Sequence, residues 1–400
     1  MKALRLLGGA PTRHEPLPAW PRLDEETAAE LVKLIADGPW ALGQKNSPVG
    51  GKYKALFEEK FATLCGTRFA LAVSSGTTAL DLAVEALQLR PGGFIVASNY
   101  GHPATIRKAA QSHRLLLLDV QPDTLCLDPD QLANVLHLDI RCVITTHFAG
   151  QPGGIERLSA LCQEAKIPLI EDASHAHGAT VGKRVAGSFG DIGCFSLHAT
   201  KNLPAGEGGI ITLDDEEIYK RLWRAHDLGR DKGQGPYDFS MLGGNYRMSE
   251  VHALLATAGL LHLKAESERC MAAAEELRRR LDQDGPFKLL TVEPDVTLHP
   301  YHLLAGRYDP EGCGGLSRKR FILALCAEGI PANAGWPSTL CNLEFLKPLS
   351  EPHPTPTAER AVAETVWIDR ALLLQENGVE QIVEAIEKIE AQAGALGARR

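Results

Sequence analysis

The stretch Ile167-Pro168-Leu169-Ile170-Glu171-Asp172-Ala173-Ser174-His175-Ala176-His177-Gly178 is an apolar run that ends in two acids and opens onto small and imidazole side chains. It reads as a buried strand with a polar end. Downstream, Phe195-Ser196-Leu197-His198-Ala199-Thr200-Lys201 leads into a turn closed by Gly206-Glu207-Gly208-Gly209. Outward from Asp172, short Val/Ile/Leu-rich runs alternate with helical patterns. The runs at 69–74, 94–98, 115–120, 141–148 and 168–172 predict strands, and the patterns at 77–89, 103–112, 128–136 and 155–166 predict helices. Nearly continuous apolar strands joined by helices belong to a parallel sheet buried on both faces. The class is therefore α/β, with a doubly covered sheet. Residues 194–197 and 209–213 predict two further strands on either side of Lys201.

Residues 249–282 predict one long helix, with Leu254, Leu255, Ala258 and Leu261 at helical spacing. Such a helix bridges a large domain to a small one, and the boundary is expected near residue 265, dividing 1–265 from 266–400. Beyond it a strand is expected over 301–308 and helices over 317–328, 357–368 and 379–389. Pro352-His353-Pro354-Thr355-Pro356 reads as a stiff connector.

At 400 residues the chain can bury a large core, and its 44% hydrophobic and 23% charged content is ordinary for a globular protein. A formal net charge of −8 argues against a nucleic-acid partner, because no basic stripe offsets phosphate repulsion. Arg278-Arg279-Arg280 reads as the solvated face of a helix. There are nine cysteines and no C-x-x-C pair; Cys65, Cys126, Cys142, Cys162 and Cys194 sit in apolar surroundings and are expected to act as small hydrophobes in a reducing cytosol. Residues 1–10 carry too short an apolar run for a signal peptide, and no uninterrupted run approaches the roughly 18 residues of a membrane span. A cytoplasmic protein without a membrane partner is expected.

Ser74-Ser75-Gly76-Thr77-Thr78-Ala79-Leu80 lies where a strand turns into a helix. Free N–H groups and hydroxyls there make an anion site, and Ser75 or Thr77 can equally serve as a plain helix cap. No Gly-Lys-Ser/Thr follows, so this is not a Walker loop. Asp172 falls at a strand's carboxyl end, where ligands of open parallel sheets gather. Lys201 stands in a glycine-rich turn, and burial there would favour its neutral amine. A pyridoxal phosphate (PLP) enzyme needs such a pair. The carboxylate keeps the ring nitrogen protonated, and the lysine amine holds the aldehyde as a Schiff base. Asp172-x-x-His175-x-His177 also has a metal-ligand spacing, but no third cluster accompanies it and no metal is expected.

Together, S-G-T-x-A-L, E-D-A-x-x-A-H-G, G-S-F-G-D-I-G-C-F-S, K-N-L-x-x-G-E-G-G and G-x-N-Y-R-M-S-E resemble the DegT/DnrJ/EryC1/StrS aminotransferase family over nearly the whole chain. The resemblance implies PLP fold type I: a three-layer, aspartate-aminotransferase-like large domain with a mostly parallel sheet, plus a smaller C-terminal α/β domain. It implies that Lys201 is the Schiff-base lysine and Asp172 the pyridinium partner, and that Gly76, Thr77, Thr78 and Ser196 hold the phosphate. Asn245 matches a residue that reaches the phosphate from the neighbouring subunit, so a homodimer with active sites at its interface is implied. His102 stands where the family often places a stacking aromatic ring, and His175 where many members carry Gln beside the cofactor hydroxyl. Ala199 two residues before the lysine, Trp20-Pro21, Val366-Trp367-Ile368 and Leu372-Leu373-Leu374 resemble the cyclitol branch, whereas Pro204-Ala205 departs from it. The implied reaction moves an amino group from glutamate or glutamine to a ketone of a cyclitol, sugar or similar small polyol, in secondary metabolism such as antibiotic biosynthesis. Two other readings stand beside it: a PLP-dependent lyase or dehydratase, motivated by His102, and a non-catalytic PLP-binding regulator.

Overall fold

In the computed structural model, which describes residues 3–40, 51–235, 237–282 and 284–398, the alternating apolar runs form an eight-stranded sheet. In chain order its strands are β1 (Phe69–Val73), β2 (Phe94–Ser98), β3 (Arg114–Leu118), β4 (Ile140–Thr146), β5 (Leu169–Asp172), β6 (Ile192–Ser196) and β7 (Gly209–Leu213). Across the sheet the order is β1-β7-β6-β5-β4-β2-β3, with the short strand Ser350–Glu351 outside β3. β7 runs antiparallel to both its neighbours, and the remaining pairings are parallel.

Both faces are buried, which is why the strands read as continuous apolar runs. Ile95, Ala97, Leu115 and Leu117 pack with helices Gly76–Ala86 and Glu216–His226 on one side, whereas Val96, Leu116, Leu118 and Val143 pack with Pro129–Val135 and Ile155–Ala165 on the other. Each fully buried Leu, Ile or Val stabilises the fold by about 1.5–3 kcal/mol. The long helix Glu250–Arg280 is capped by Ser249, whose hydroxyl accepts the His252 N–H at 3.2 Å. Its first residue has a second task. The Glu250 carboxylate accepts the N–H groups of Tyr53 (2.7 Å) and Lys54 (3.2 Å), closing the start of helix Lys52–Cys65. Ala253, Leu254 and Leu263 of the long helix join a core with Phe61, Phe195 and Ile210, whereas Cys270, Ala274 and Leu277 join another built on a second sheet. That sheet is antiparallel, in the order Phe287–Leu289, Leu304–Tyr308, Thr365–Ile368, Ala332–Asn333.

The sequence reading needs three corrections. Residues 357–368 are not one helix: Pro356–Glu364 is helical and Thr365–Ile368 is a strand paired with Leu304–Arg307. The β-branched Thr365-Val366 pair suits a strand, and two neighbouring strands supply its ladder. Residues 103–112 form two short 3₁₀ pieces, Pro103–Ile106 and Ala109–Gln111, rather than an α-helix. The strand expected over 301–308 begins at Leu304, because Tyr301 has φ 47° and Pro300 accepts a side-chain bond from Asn202 instead of a ladder bond. All nine cysteines are unpaired, and Cys65, Cys126, Cys142, Cys162 and Cys194 are buried. No helix among the described residues is long and apolar enough to cross a membrane.

Candidate active site

β5, β6 and the turn after β1 end at one side of the sheet and bring Asp172, Ser196 and Gly76 to a common cavity of about 450 Å³. Its wall includes Thr77, His102, His175 and Lys201 as well. Seven of the expected residues thus converge from four separate stretches of chain.

The turn Ser74–Thr78 is built as a cap. Ser75 Oγ accepts the Thr78 N–H at 3.1 Å and lies 2.8 Å from the Thr78 hydroxyl, which is also 3.2 Å from the Ser74 hydroxyl. The N–H groups of Gly76 and Thr77, the first two of the helix, have no hydrogen-bond partner among the described residues and are available to an anion. A side chain at position 76 would collide with Ser196, since a Cβ there would lie 2.6 Å from the Ser196 Cβ. Glycine is what lets the helix start and Ser196 form one cradle. Thr78 does not line the cavity; its polar groups are spent on the cap.

Asp172 is buried and accepts the Thr105 hydroxyl on Oδ2 at 2.6 Å and the Ser174 N–H on Oδ1 at 3.2 Å. Thr105 comes from the Pro103–Ile106 piece, whose start is capped by His102: the ring Nδ1 accepts the Ala104 N–H at 3.2 Å. That bond places the proton of the neutral ring on Nε2. Partial burial keeps the His102 pKa below its usual value, opposed by the Asp172 charge and assisted by Lys201.

Lys201 is placed by backbone bonds on both sides. Its N–H donates to His198 O at 2.8 Å and its carbonyl accepts the Trp20 indole N–H at 3.3 Å. Its amine has no hydrogen-bond or ion-pair partner among the described residues. Burial pulls its pKa down to about 8, while the Asp172 charge holds it from falling further. The amine is therefore partly neutral near pH 8, as a nucleophile or a proton carrier requires.

His175 lines the cavity, and its pKa is pushed well below the usual value by burial and then by Lys201. Its Nδ1 is buried without a partner. A proton on Nε2 avoids burying an unpaired N–H. His177 does not join it: the ring packs 5.5 Å from Phe195 in the core, with its pKa lowered to about 3 by burial. Among the described residues, no cluster of three or more His, Cys, Asp or Glu is arranged to hold a metal. Asn245 is exposed and lies outside this cavity, in a segment whose backbone bridges to Asp227.

The donor set fits a planar, phosphorylated, cationic aldehyde such as PLP: free helix-start N–H groups and a hydroxyl for the phosphate, a hydrogen-bonded carboxylate for a ring N–H, and an unpaired amine. Sequence reasoning missed Thr105, His302 and Trp336, and singled out Trp367 only as part of the Val366-Trp367-Ile368 resemblance to the cyclitol branch. His302, Trp336 and Trp367 reach the cavity from the second sheet and its loops. No local pattern marks His302 or Trp336 as lining residues; for Thr105 the one available signal was its place three residues after His102.

Residues 17–387 match the model of the DegT/DnrJ/EryC1/StrS aminotransferase family. The chain is 28% identical to the L-glutamine:2-deoxy-scyllo-inosose aminotransferase of Micromonospora echinospora, over 97% of this chain and 98% of that protein. It superposes with a TM-score of 0.85 on DesI in the presence of its TDP-sugar product, at 26% identity over 99% of this chain and 98% of DesI. It superposes equally well, with a TM-score of 0.85, on 3-amino-5-hydroxybenzoic acid synthase, at 24% identity over 96% and 100% of the two chains, a likeness of fold. With a match over that span and a site of this composition, the chain belongs to the DegT/DnrJ/EryC1/StrS aminotransferase family.

Proposed function

We propose that the chain moves an amino group, using PLP, from glutamine or glutamate to a ketone carbon of a cyclitol, sugar or similar polyol. The observation that carries this reading is the Lys201 amine, unpaired, held to a pKa of about 8, and enclosed in one cavity with Asp172 and the open helix start at Gly76. When bound, PLP supplies an aldehyde that links to amines and a cationic ring that takes up the electron pair freed at the neighbouring carbon. The rest is the work of the chain's own backbone and side-chain groups. The N–H groups of Gly76 and Thr77 and the Ser196 hydroxyl bind the phosphate, and Thr78 stiffens that turn. Asp172, fixed by Thr105 and Ser174, keeps the proton on the ring nitrogen. His175 donates from Nε2 to the ring hydroxyl, and His102 completes the wall. Lys201 Nζ takes the proton from the amine-bearing carbon of the donor and delivers one to the former ketone carbon of the acceptor.

The names of two relatives support the substrate class: one takes glutamine and a deoxy-inosose, the other yields a TDP-sugar. A homodimer in which Asn245 of one copy reaches the phosphate site of the other is supported by the exposure of Asn245 and by the apolar segment around it, where Tyr237, Phe239 and Leu242 are 85%, 56% and 94% exposed.

The test is Lys201→Ala in enzyme loaded with PLP. Turnover is expected to vanish, and borohydride followed by peptide mapping is expected to tag residue 201 in the parent protein only. Retained amination by the variant rejects the assignment. In the parent, glutamine or glutamate alone should convert the cofactor band to that of pyridoxamine. A band unmoved by any amino donor favours the lyase or dehydratase reading instead.

A further inference from the structure

His302 is a histidine that the chemistry above leaves unused. It is buried, comes from the loop before Leu304–Tyr308, and lines both the cavity and an adjoining space of about 540 Å³ that shares Thr200, Leu303 and Trp367 with it. Its ring lies against His175 with centroids 4.2 Å apart and planes at 31°.

The protonation of His302 is set by its neighbours. Asn202, the residue after Lys201, donates its side-chain N–H to Pro300 O at 2.8 Å. A carbonyl only accepts, so the amide orientation is fixed and Asn202 Oδ1 is the atom 3.0 Å from His302 Nδ1. The amide oxygen also only accepts, so Nδ1 carries the proton. Burial, reinforced by the positive charges of Lys201 and Arg370 and the nearby rings of His175 and His177, keeps the imidazole neutral. Nε2 is then a bare lone pair. It has no partner among the described residues and is not among the enclosed atoms, which leaves it accessible to a ligand in the joined spaces that His302 lines.

We infer that His302 Nε2 is a specificity-determining acceptor that binds an uncharged hydrogen-bond donor of the substrate, either a hydroxyl of the polyol ketone or the side-chain amide of a glutamine donor. This inference rests on the aminotransferase reading. A fixed lone pair discriminates by sign. It pairs with O–H or N–H and repels a carboxylate, so it favours hydroxylated ketones over their deoxy analogues and glutamine over glutamate. The two adjacent rings thereby divide the labour: His175 offers an N–H and His302 a lone pair.

The test compares parent enzyme with His302→Phe, which preserves a flat ring against His175, and His302→Gln, which returns a carbonyl acceptor. The two half-reactions are measured separately. The acceptor arm uses a keto-inositol and a panel of analogues each lacking one hydroxyl, and the donor arm compares glutamine with glutamate. If the partner is an acceptor hydroxyl, His302→Phe lowers kcat/KM for the full polyol about tenfold to a hundredfold, and one deoxy analogue shows no difference between parent and variant. If the partner is the glutamine amide, the variant loses its preference for glutamine over glutamate by a similar factor. His302→Gln recovers part of either loss. An equal fall for every substrate, or no fall for any, overturns the inference. Should the parent itself convert no amino donor, it is the aminotransferase reading that has failed.

Discussion

Glu171 and Asp172 are adjacent on β5 and, by the alternation of a strand, face opposite sides of the sheet. Behind the strand, Glu171 is fully enclosed and both its oxygens are taken. His147 Nε2 (2.7 Å) and the Gly187 N–H (2.8 Å) donate to Oε2, and the N–H groups of Phe189 (2.6 Å) and Gly190 (2.7 Å) donate to Oε1. In front, Asp172 has two donors, Thr105 and Ser174, and shares a cavity with a free amine. A carboxylate whose donors are all protein groups ties the chain together. One with spare acceptor capacity facing open space is available to a ligand. Charge alone does not distinguish them; the count of committed bonds does.

The comparison can be broken most forcefully at Glu171. Glu171→Ala strands three buried donors and the half-buried Gly190 N–H, each buried one costing about 1–3 kcal/mol when unpaired, so urea unfolding should record a loss of about 4 kcal/mol or more, or no folded protein. Asp172→Asn should do the opposite. Stability stays within about 1 kcal/mol of the parent, whereas kcat/KM falls by about 10²–10³, the usual effect of deleting one preorganised charge at a reacting centre. Equal destabilisation by the two substitutions would erase the contrast. Thr105→Val removes the 2.6 Å donor to Asp172 without changing shape; steady-state kinetics should show a loss of about tenfold.

The mildest effect lies in the titration of Lys201. In cofactor-free protein, its acetylation rate should rise with pH around a midpoint of about 8. Asp172→Asn should move that midpoint lower, because the carboxylate favours the ammonium form. The unfolded chain keeps this proton up to the ordinary lysine value of about 10.4, whereas the folded chain releases it at about 8. The unfolded state then binds more protons, so this group makes the fold more stable as pH climbs through that window.

What was legible in the sequence had local causes. Asp172 follows a run of apolar residues and Lys201 precedes a glycine turn, so strand end and loop are each visible within a dozen residues. Gly76 and Ser196 are legible for the same reason. His302 and Trp336 are not, and Trp367 was legible only as part of a resemblance, because these residues share a cavity with Asp172 only once the second sheet has formed. Thr78 was expected to hold phosphate; its N–H and hydroxyl lie in the helix cap with Ser75, a reading the sequence also offered for this turn and one that a bound phosphate can share. At 357–368 the spacing of Ala358 and Ala361 carries a helical pattern up to Glu364. Four residues of strand are too few to announce a change of period before their ladder partners are known.

Trp336 and Trp367 border the cavity, and the Trp20 indole donates to the carbonyl of Lys201. Three of the chain's five tryptophans therefore surround one site. A ligand that absorbs where indole emits will quench them strongly by resonance energy transfer. Intrinsic fluorescence thus becomes a label-free gauge of loading, following in one cuvette how much of the protein has taken up its chromophore and how fast an amino donor changes its colour.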